Sequence, residues 1–271
     1  MRAGLVEENE LVRVESTLVR KDGSEKEIID DLLGLISKFD YGKVEGIGVG
    51  VPSIVEVEKG IVFDVQNIPS WKEVHLKKIL ESSFKVPVYV NNDANCFAAG
   101  EKYFGKVKEY KNIIGLIIGT GLGAGIIVNN RLYEGTNCGA GEFGMIPFKD
   151  KNYEYYCSGQ YFLNEFRILG KELYEKAANN DSSALEIFKN YGSNLGEAIK
   201  MIMYALDPEV IVLGGSVSKS FKFFQDEMWK SISGFCYTSS LKKIKVEVSE
   251  KDNIAVLGAA ALYLDAINKQ S

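Results

Sequence analysis

The sequence contains few of the residues that most often form metal sites or disulfides, and its basic residues are not clustered. Among 271 residues there is one histidine, His75, and there are four cysteines and five prolines. The cysteines have no paired spacing, so they predict neither a disulfide framework nor a zinc knuckle: Cys96, Cys138, Cys157 and Cys236. No block of Lys or Arg is longer than a pair and the formal net charge is −5. We therefore do not expect nucleic acid as a partner.

Signals for export or for a membrane are also weak. The first ten residues, MRAGLVEENE, are too acidic for a signal peptide, which needs a positive start and an apolar run. Residues 112–130 are uncharged, but four loop glycines interrupt them, so a membrane span is a poor interpretation. His75 lies in the polar run WKEVHLKKIL, which favours an exposed helical position over a catalytic one. We expect a cytoplasmic protein with no membrane contact.

A glycine-dense segment, GTGLGAG at residues 119–125, is the most informative feature. The β-branched runs 113–118 and 126–128 flank it and predict two buried strands. Closely spaced glycines let several backbone N–H groups point at one phosphate. A Walker loop would open into a helix and carry Gly-Lys-Ser/Thr, and neither is present. The segment predicts a strand–phosphate loop–strand hairpin, although tight packing within a sheet would also explain the glycines.

Polar residues follow another predicted strand in VPVYVNNDAN, residues 86–95. Asn91, Asn92, Asp93 and Asn95 come at its end, where a helix starts and where α/β proteins bind ligands. They could hydrogen-bond a polyhydroxylated ligand, with Asp93 as general base. The alternative is that Asp93 only caps the helix.

Two further glycine-rich bends could contribute to a site. Glu142 lies in GAGEFG, where its carboxylate suits sugar hydroxyls or is simply a solvated loop side chain. Gly214 and Gly215 follow a predicted buried strand in DPEVIVLGGS, which would let a nucleotide approach the backbone. Strands and helices alternate in both halves of the chain, which predicts an α/β protein with two lobes.

An ordered set of motifs resembles the sugar kinases of the ROK (repressor, open reading frame, kinase) family. The set runs from residue 2 to about residue 265 and includes GIGVGVPSIVEVEKGIVF, QNIPSWKEVHL, VNNDAN, IIGTGLGAGIIVNNRLYEG, AGEFG, DPEVIVLGGSVS and LGAAALY. The resemblance implies an actin-like, ribonuclease H-like ATPase fold with two lobes around a cleft. The small lobe would comprise residues 1–106 and 255–271, and the large lobe residues 107–254.

The resemblance also implies roles for individual residues. Asp93 matches the catalytic base that takes a proton from the sugar hydroxyl during attack on the γ-phosphate of Mg·ATP. The sugar contacts implied are Asn67, Asn92, Glu142 and Glu154. The ATP contacts implied are Gly119, Thr120, Gly121, Gly123, Gly214 and Gly215. ATP and Mg²⁺ are thus the expected cofactors, a small sugar is the expected partner, and the family favours a homodimer.

Two departures from the family pattern concern zinc. Met145 stands where family members have a histidine that touches the sugar and often binds zinc, and the thioether has no strong donor. The cysteine-rich zinc loop is also missing before YEYYCSG, which resembles LEAYASG and places Glu154 as a sugar-facing carboxylate and Cys157 in a small packing position. We expect a glucokinase-like member without structural zinc. The alternatives are a β-glucoside or fructose kinase, or a non-catalytic sugar-binding or regulatory protein.

The third departure concerns the start of the chain. Family members begin with a strand and Asp-x-Gly-Gly-Thr, whose aspartate orients Mg²⁺, whereas MRAGLVEEN resembles the residues just after that motif. We favour a start placed at an internal methionine over a loss of the element, because the sugar-site residues downstream are kept. There is no room before Gly4 for the helix-turn-helix domain of the family's repressors, so DNA binding is not expected.

The 271-residue chain is therefore expected to catalyse poorly, since it lacks the magnesium-orienting carboxylate. ADP release should be measured against a panel of sugars for this chain and for one extended upstream in the same reading frame. Activity restored by the extension supports a kinase with a misplaced start. Full turnover by the 271-residue form would contradict the prediction, and sugar binding without turnover in both forms supports a binding protein.

Overall fold

The computed structural model describes residues 1–65 and 67–270, and the chain divides into two compact units. The first comprises Met1–Lys111, Gly125–Ala140 and Glu250–Ser271, and the second comprises Asn112–Ala124 and Gly141–Ser249. Both units mix helices and strands, so the expected α/β class is confirmed. Residues 125–140 belong to the first compact unit, whereas the sequence predicts them in the large lobe. The lobe boundaries stay a prediction.

The first unit contains three small groups of strands and four helices among the described residues. Its strands are β1 (Arg2–Glu7), β2 (Glu10–Ser16), β3 (Ile47–Val51), β4 (Ile54–Glu56), β5 (Ile61–Phe63), β6 (Glu73–Val74), β7 (Val88–Asn92) and β10 (Arg131–Tyr133). Its helices are α1 (Glu25–Ile36), α2 (Leu76–Phe84), α3 (Asp93–Tyr103) and α10 (Ile254–Gln270), with a 3₁₀ turn at Tyr41–Lys43.

Strand pairing in the first unit sets where its polar motif lies. β1 and β2 form the expected antiparallel hairpin, and β4, β5 and β6 form a second antiparallel group. β3 and β7 are parallel, in the register Val51 to Asn92, so both strands end at the same edge. Side chains of α1, α2, β5 and β7 form one buried core, which includes Ile28, Leu80, Val62 and Val88. The polar motif therefore begins where a buried parallel strand ends.

Helix α10 packs against β3 and α3 at backbone distance. A β-carbon on Gly258 would overlap with the carbonyl oxygen of Cys96, and one on Gly48 would overlap with the carbonyl oxygen of Ala259. On Gly100 it would lie 3.1 Å from the Cα of Gly258. The small-residue character of α10 and its neighbours is thus required by this close approach.

The second unit is built on three parallel strands flanked by helices. Its strands are β8 (Ile113–Ile118), β11 (Pro147–Phe148), β12 (Lys151–Asn152), β13 (Val210–Gly214) and β14 (Lys245–Val248), and β9 (Leu122–Val128) begins here and continues into the first unit. Its helices are α4 (Tyr153–Cys157), α5 (Gly159–Phe166), α6 (Gly170–Ala178), α7 (Ser182–Leu206), α8 (Phe221–Ile232) and α9 (Thr238–Leu241), with 3₁₀ turns at Phe143–Met145 and Val217–Ser220.

Strand β13 is the middle one of these three parallel strands. It pairs in parallel with β8 on one side and with β14 on the other, and every residue of β13 is buried. This explains its uncharged sequence, VIVLG, because a parallel strand covered on both faces has no solvent side. β8 and β13 end side by side, at Ile118 and Gly214, so the residues after both strands emerge at one edge.

The glycine hairpin has the predicted order but a shorter loop. β8 and β9 are neighbouring strands, and only residues 119–121 connect them. Gly123 and Gly125 are part of β9 instead of the loop. A β-carbon on Gly125 would overlap with the carbonyl oxygen of Ala94, so that glycine serves close packing inside the first unit. Gly125 therefore fits the packing interpretation, whereas phosphate binding by residues 119–121 stays a prediction.

The sequence pattern predicts helices over residues 71–82, 159–178, 184–191 and 192–206, and the structure corrects these predictions in three places. Residues 71–75 precede α2, because Glu73 and Val74 pair with β5. The two helices expected over residues 184–206 are one helix, since Gly192 does not end it but lets the carbonyl oxygen of Phe224 approach. The single helix expected over residues 159–178 is two helices, separated at Arg167, which adopts φ 57°.

No helix in the described part of the chain combines the length and the apolar character that crossing a bilayer requires.

Two glycine substitutions in the first unit should have opposite effects on stability. Gly258→Ala should lower the free energy of unfolding by about 3 kcal/mol, because its β-carbon would overlap with backbone. Gly34→Ala should raise it by about 0.5–1 kcal/mol, because Gly34 is exposed on α1 with nothing within 4 Å of the new carbon. Urea denaturation measures both. A Gly258→Ala protein as stable as the parent would contradict the packing described for α10.

Candidate functional site

Asn92 and Asp93 lie at the junction of β7 and α3. Asn92 is the N-cap: its Oδ1 accepts a hydrogen bond from the Ala94 N–H at 2.8 Å, and its Nδ2 donates to the Ser53 carbonyl oxygen at 3.2 Å. Because Asn92 supplies the cap, Asp93 is the first residue of the helix and is not needed to begin it. The cap alternative thus applies to Asn92.

The environment of Asp93 favours a base. Its side chain is exposed, yet the surrounding protein removes enough water to raise the pKa of the carboxyl above its ordinary value. A hydrogen bond from the Ala94 N–H, at 3.0 Å, opposes this shift but is the smaller effect. A raised pKa makes the ionised carboxylate a stronger proton acceptor.

Asn91 supports this junction from within the protein. Its side chain is only 1% exposed. Its Oδ1 accepts hydrogen bonds from the Asn92 N–H and from Asn95 Nδ2, both at 2.8 Å. Its Nδ2 donates to Glu134 Oε1 at 2.9 Å, and Cys138 Sγ lies 3.2 Å from its Oδ1. The start of α3 is thereby tied to the loop that contains Glu134 and Cys138.

This network corrects one expectation. Asn91 and Asn95 were expected to face a polyhydroxylated ligand, but both are 1% exposed and bond to protein groups. The prediction was based on the three asparagines of VNNDAN. Two of them, Asn91 and Asn95, instead form a buried support for the start of α3. The partners Ser53, Glu134 and Cys138 are distant in sequence and had no signal of their own.

Asn67 lies elsewhere in the first unit. It is an exposed turn residue with a left-handed backbone, φ 73°. Its neighbour Gln66 is outside the described residues. The sugar contact expected of Asn67 stays a prediction.

In the second unit, Gly119, Thr120 and Gly121 form a tight turn at the carboxyl edge of the sheet. The Gly119 N–H donates to the Gly121 carbonyl oxygen at 3.0 Å. Thr120 is exposed, and the space beside Gly119 is open, since no heavy atom lies within 4 Å of a β-carbon placed there. Such an open turn between two buried strands can accept a phosphate, whereas Gly123, within β9, contributes strand backbone.

The second glycine pair lies beside that turn. Gly214 pairs with Ile117 across the parallel register. Gly215 adopts φ 86°, and a β-carbon on it would overlap with the carbonyl oxygen of Ile118. The two segments predicted to hold a nucleotide therefore meet at one edge of the sheet, as the order of strands allows.

A third group of residues surrounds an open cavity of about 360 Å³ next to α4. The residues that line it are Met145, Lys151, Asn152, Glu154, Tyr155 and Gln160. Met145 is 51% exposed, and Glu154 Oε2 accepts a hydrogen bond from the Leu122 N–H at 3.0 Å. Glu142 is exposed just before the 3₁₀ turn that contains Met145. The structure thus places Met145 and Glu154 at one cavity.

Within residues 1–65 and 67–270, no three side chains of His, Cys, Asp or Glu lie together as a metal-binding group.

Comparison with known proteins identifies the family. The model of the ROK family matches residues 1–266. The chain belongs to the ROK family. This ROK protein is 29% identical over 255 residues to the xylose repressor of Bacillus subtilis (strain 168), which covers 88% of this chain and 66% of the repressor.

Kinases are among the relatives as well. The N-acetyl-D-glucosamine kinase of Vibrio parahaemolyticus is 29% identical over 265 residues, covering 88% of this chain and 87% of the kinase. A ROK family glucokinase from Streptomyces griseus, solved with glucose and AMPPNP, is 25% identical with a TM-score of 0.78, covering 96% of this chain and 94% of that one. The expected actin-like ATPase fold is thereby confirmed.

The chain matches only part of the length of its repressor relatives. This ROK protein spans 58%, 62% and 66% of the lengths of three xylose repressors that it matches. Because these relatives include transcriptional repressors, the expectation that nucleic acid is not a partner stays a prediction.

Replacing Asp93 should change stability in a pH-dependent way. At pH values between the ordinary pKa of an aspartate, about 4, and the raised pKa of Asp93 in the folded state, the folded protein binds more protons than the unfolded one. Stability is therefore lost as the pH rises through this window. Asp93→Asn should raise the melting temperature at pH 7, and the difference should disappear as the pH falls below 4.

Asp31→Asn is a control of opposite sign. Arg20 lowers the pKa of the Asp31 carboxyl through a hydrogen bond, so that group adds stability above its ordinary pKa and loses it in acid. Its replacement should lower the melting temperature at pH 7. Melting curves at several pH values measure both, and a destabilised Asp93→Asn protein at pH 7 would contradict the desolvation described for Asp93.

Proposed function

We propose that this ROK protein carries the sugar and nucleotide site of an ATP-dependent hexose kinase, with Asp93 as the general base. The observation that carries the proposal is the state of Asp93. It is an exposed carboxylate with a raised pKa, at the start of a helix that Asn92 already caps. Nothing in the local fold requires a carboxylate at position 93. Removing a proton from a sugar hydroxyl, in contrast, requires a proton acceptor.

The reaction assigned to this site is a single phosphoryl transfer. Asp93 accepts the proton of the sugar hydroxyl while the oxygen of that hydroxyl forms a bond to the γ-phosphorus of ATP. The bond from that phosphorus to the β–γ bridging oxygen breaks, and ADP leaves with the electron pair. Such a transfer depends on the positions of the reactants and on neutralised charge. The hydrogen bonds of Asn92 to Ser53 and Ala94 hold the base in place.

The nucleotide side of the proposal rests on glycine backbone. The turn of Gly119, Thr120 and Gly121 offers the N–H groups of its last two residues and an exposed hydroxyl to phosphates, and Gly215 lies against the strand that ends there. Gly214, the last residue of β13, precedes Gly215 and is the other glycine proposed to contact the nucleotide. Mg²⁺, when bound, would neutralise charge on the phosphates. The AMPPNP bound to the glucokinase of Streptomyces griseus agrees with ATP as the phosphate donor.

A glucose-like hexose is the proposed acceptor. Asn92, Glu142 and Glu154 are the proposed contacts of its hydroxyls, together with Asn67. Met145 contributes an exposed thioether to the cavity of Glu154, so the sugar position beside it meets an apolar group instead of a donor. This favours a substituted or less polar group there and keeps β-glucosides, fructose and N-acetylhexosamines as alternatives.

A second candidate function is a sugar-binding regulatory protein without turnover. The similarity to xylose repressors supports it, and in that case Asp93 and Asn92 would bind the sugar without transferring phosphate. Both candidates predict sugar binding, so binding alone does not separate them.

The decisive experiment measures sugar binding and ADP release in one set of variants. Calorimetry with glucose, N-acetylglucosamine, xylose, fructose and a β-glucoside shows which sugar binds. In the upstream-extended chain, Asp93→Asn should bind that sugar within about threefold of the extended parent and lose at least about 100-fold in sugar-dependent ADP release, since only the base is removed. Asp22→Asn, at an exposed turn of the same unit, is the matched control and should change neither.

The outcomes distinguish the candidates. Sugar-dependent ADP release that is lost in Asp93→Asn supports the kinase. Binding of a sugar with no ADP release, in this chain and in the upstream-extended chain, supports the regulatory protein. Full turnover by Asp93→Asn refutes the proposed base, and no binding of any of the sugars refutes both.

A further inference from the structure

Two hydrogen bonds, one to a side chain and one between backbone groups, attach the turn of residues 119–121, here called the phosphate turn, to α4 and α5. The carboxylate of Glu154, on α4, accepts from the Leu122 N–H at 3.0 Å. The Gly159 N–H, at the start of α5, donates to the Gly119 carbonyl oxygen at 2.8 Å. We call Glu154 and Gly159 the loop anchor. Because the turn is only residues 119–121, the anchor holds it at both ends.

The packing around Glu154 is specific to this contact. A β-carbon on Gly121 would lie 2.6 Å from Glu154 Oε2, so the carboxylate would have to shift from its present position beside Leu122. A β-carbon on Gly144 would lie 3.2 Å from Glu154 Cβ and 2.7 Å from the Leu122 carbonyl oxygen. Glycines on both sides therefore bring the carboxylate and the strand backbone together.

The same carboxylate also lines the 360 Å³ cavity with Met145, Tyr155 and Gln160. A carboxylate can accept about four hydrogen bonds, and the Leu122 N–H uses one of them. A hydroxyl of a ligand in the cavity can therefore donate to Glu154 while the bond to Leu122 stays in place. One side chain thus contacts both the cavity and the phosphate turn.

We propose that Glu154 is a positioning residue that couples ligand binding in the cavity to the affinity of the phosphate turn. A polyhydroxylated ligand that bonds to Glu154 fixes its carboxylate, which in turn fixes the Leu122 N–H and the turn before it. The turn then binds a nucleoside triphosphate more tightly, and the nucleotide raises the affinity for the sugar by the same factor. This coupling rests on the proposed kinase function, whereas the loop anchor itself does not.

Hydrogen exchange in the ligand-free protein tests the anchor. In Glu154→Ala and in Gly121→Ala, exchange at the Leu122 amide should speed up about tenfold, because the acceptor is removed or displaced. Glu154→Gln keeps an amide oxygen as acceptor and should stay within about threefold. Gly119→Ala is the matched control for Gly121→Ala, since its β-carbon meets open space, and it should leave exchange at Leu122 unchanged.

Calorimetry tests the coupling. AMPPNP is titrated with and without a saturating sugar from the panel, and the ratio of the two dissociation constants is the coupling factor. In the parent protein the sugar should tighten AMPPNP binding at least about fivefold, within the usual range of coupling. Glu154→Ala should weaken AMPPNP binding about tenfold without sugar and bring the factor close to one. Glu154→Gln should restore the affinity for AMPPNP without sugar.

Each result has one meaning. If Glu154→Ala leaves Leu122 exchange unchanged, the anchor is wrong, whatever the ligands do. If Glu154→Ala weakens sugar binding but keeps the affinity for AMPPNP and the coupling factor, Glu154 is a sugar contact only and the coupling is refuted. If the parent and the upstream-extended chain bind neither AMPPNP nor any sugar, the proposed function and the coupling are both refuted. The hydrogen-exchange experiment then still tests whether Glu154 bonds to the Leu122 N–H. Melting curves confirm that each variant is folded.

Discussion

The absence of a β-carbon at a few positions is the constraint on which both units depend. In the first unit, Gly48 and Gly258 let helix α10 lie against β3 and α3 at backbone distance. In the second, Gly215 lies against the end of β8, and Gly121 admits the carboxylate of Glu154. An alanine at any of these positions would force backbone or a hydrogen-bonded carboxylate to move. Packing and site geometry therefore use the same steric device.

The junction of β7 and α3 shows how neighbouring polar residues divide their tasks. Asn91 is buried and fully engaged with protein groups, Asn92 caps the helix, and Asp93 remains exposed with a raised pKa. The desolvation that makes Asp93 a better base also makes its charged form less stable. The two amides beside it supply hydrogen bonds that a carboxylate at those positions could not donate.

Much of the fold follows from local patterns, and what does not follow has identifiable causes. The uncharged run of β13 and the glycine hairpin are readable because burial on both faces and a tight turn leave distinct compositions. Gly192 was misleading, because a glycine that permits close packing with Phe224 looks the same as one that ends a helix. The break at Arg167 has no such signal, since a non-glycine residue there adopts φ 57°. Of the candidate site, Asp93 and the glycine turn were predicted, but the partners of Asn91 and the contact of Glu154 with Leu122 depend on long-range folding.

Helix α10 also determines the order in which the protein can fold during synthesis. The first unit needs this helix, whose Gly258 lies against Cys96, yet residues 254–270 leave the ribosome after every residue of the second unit. The surfaces of β3 and α3 that α10 covers are therefore exposed while the rest of the chain is made. The second unit can complete its own core during that time, whereas the first unit is a late and non-local assembly step. A nascent chain stalled before residue 254 would present an unfinished, apolar surface of the kind that chaperones bind.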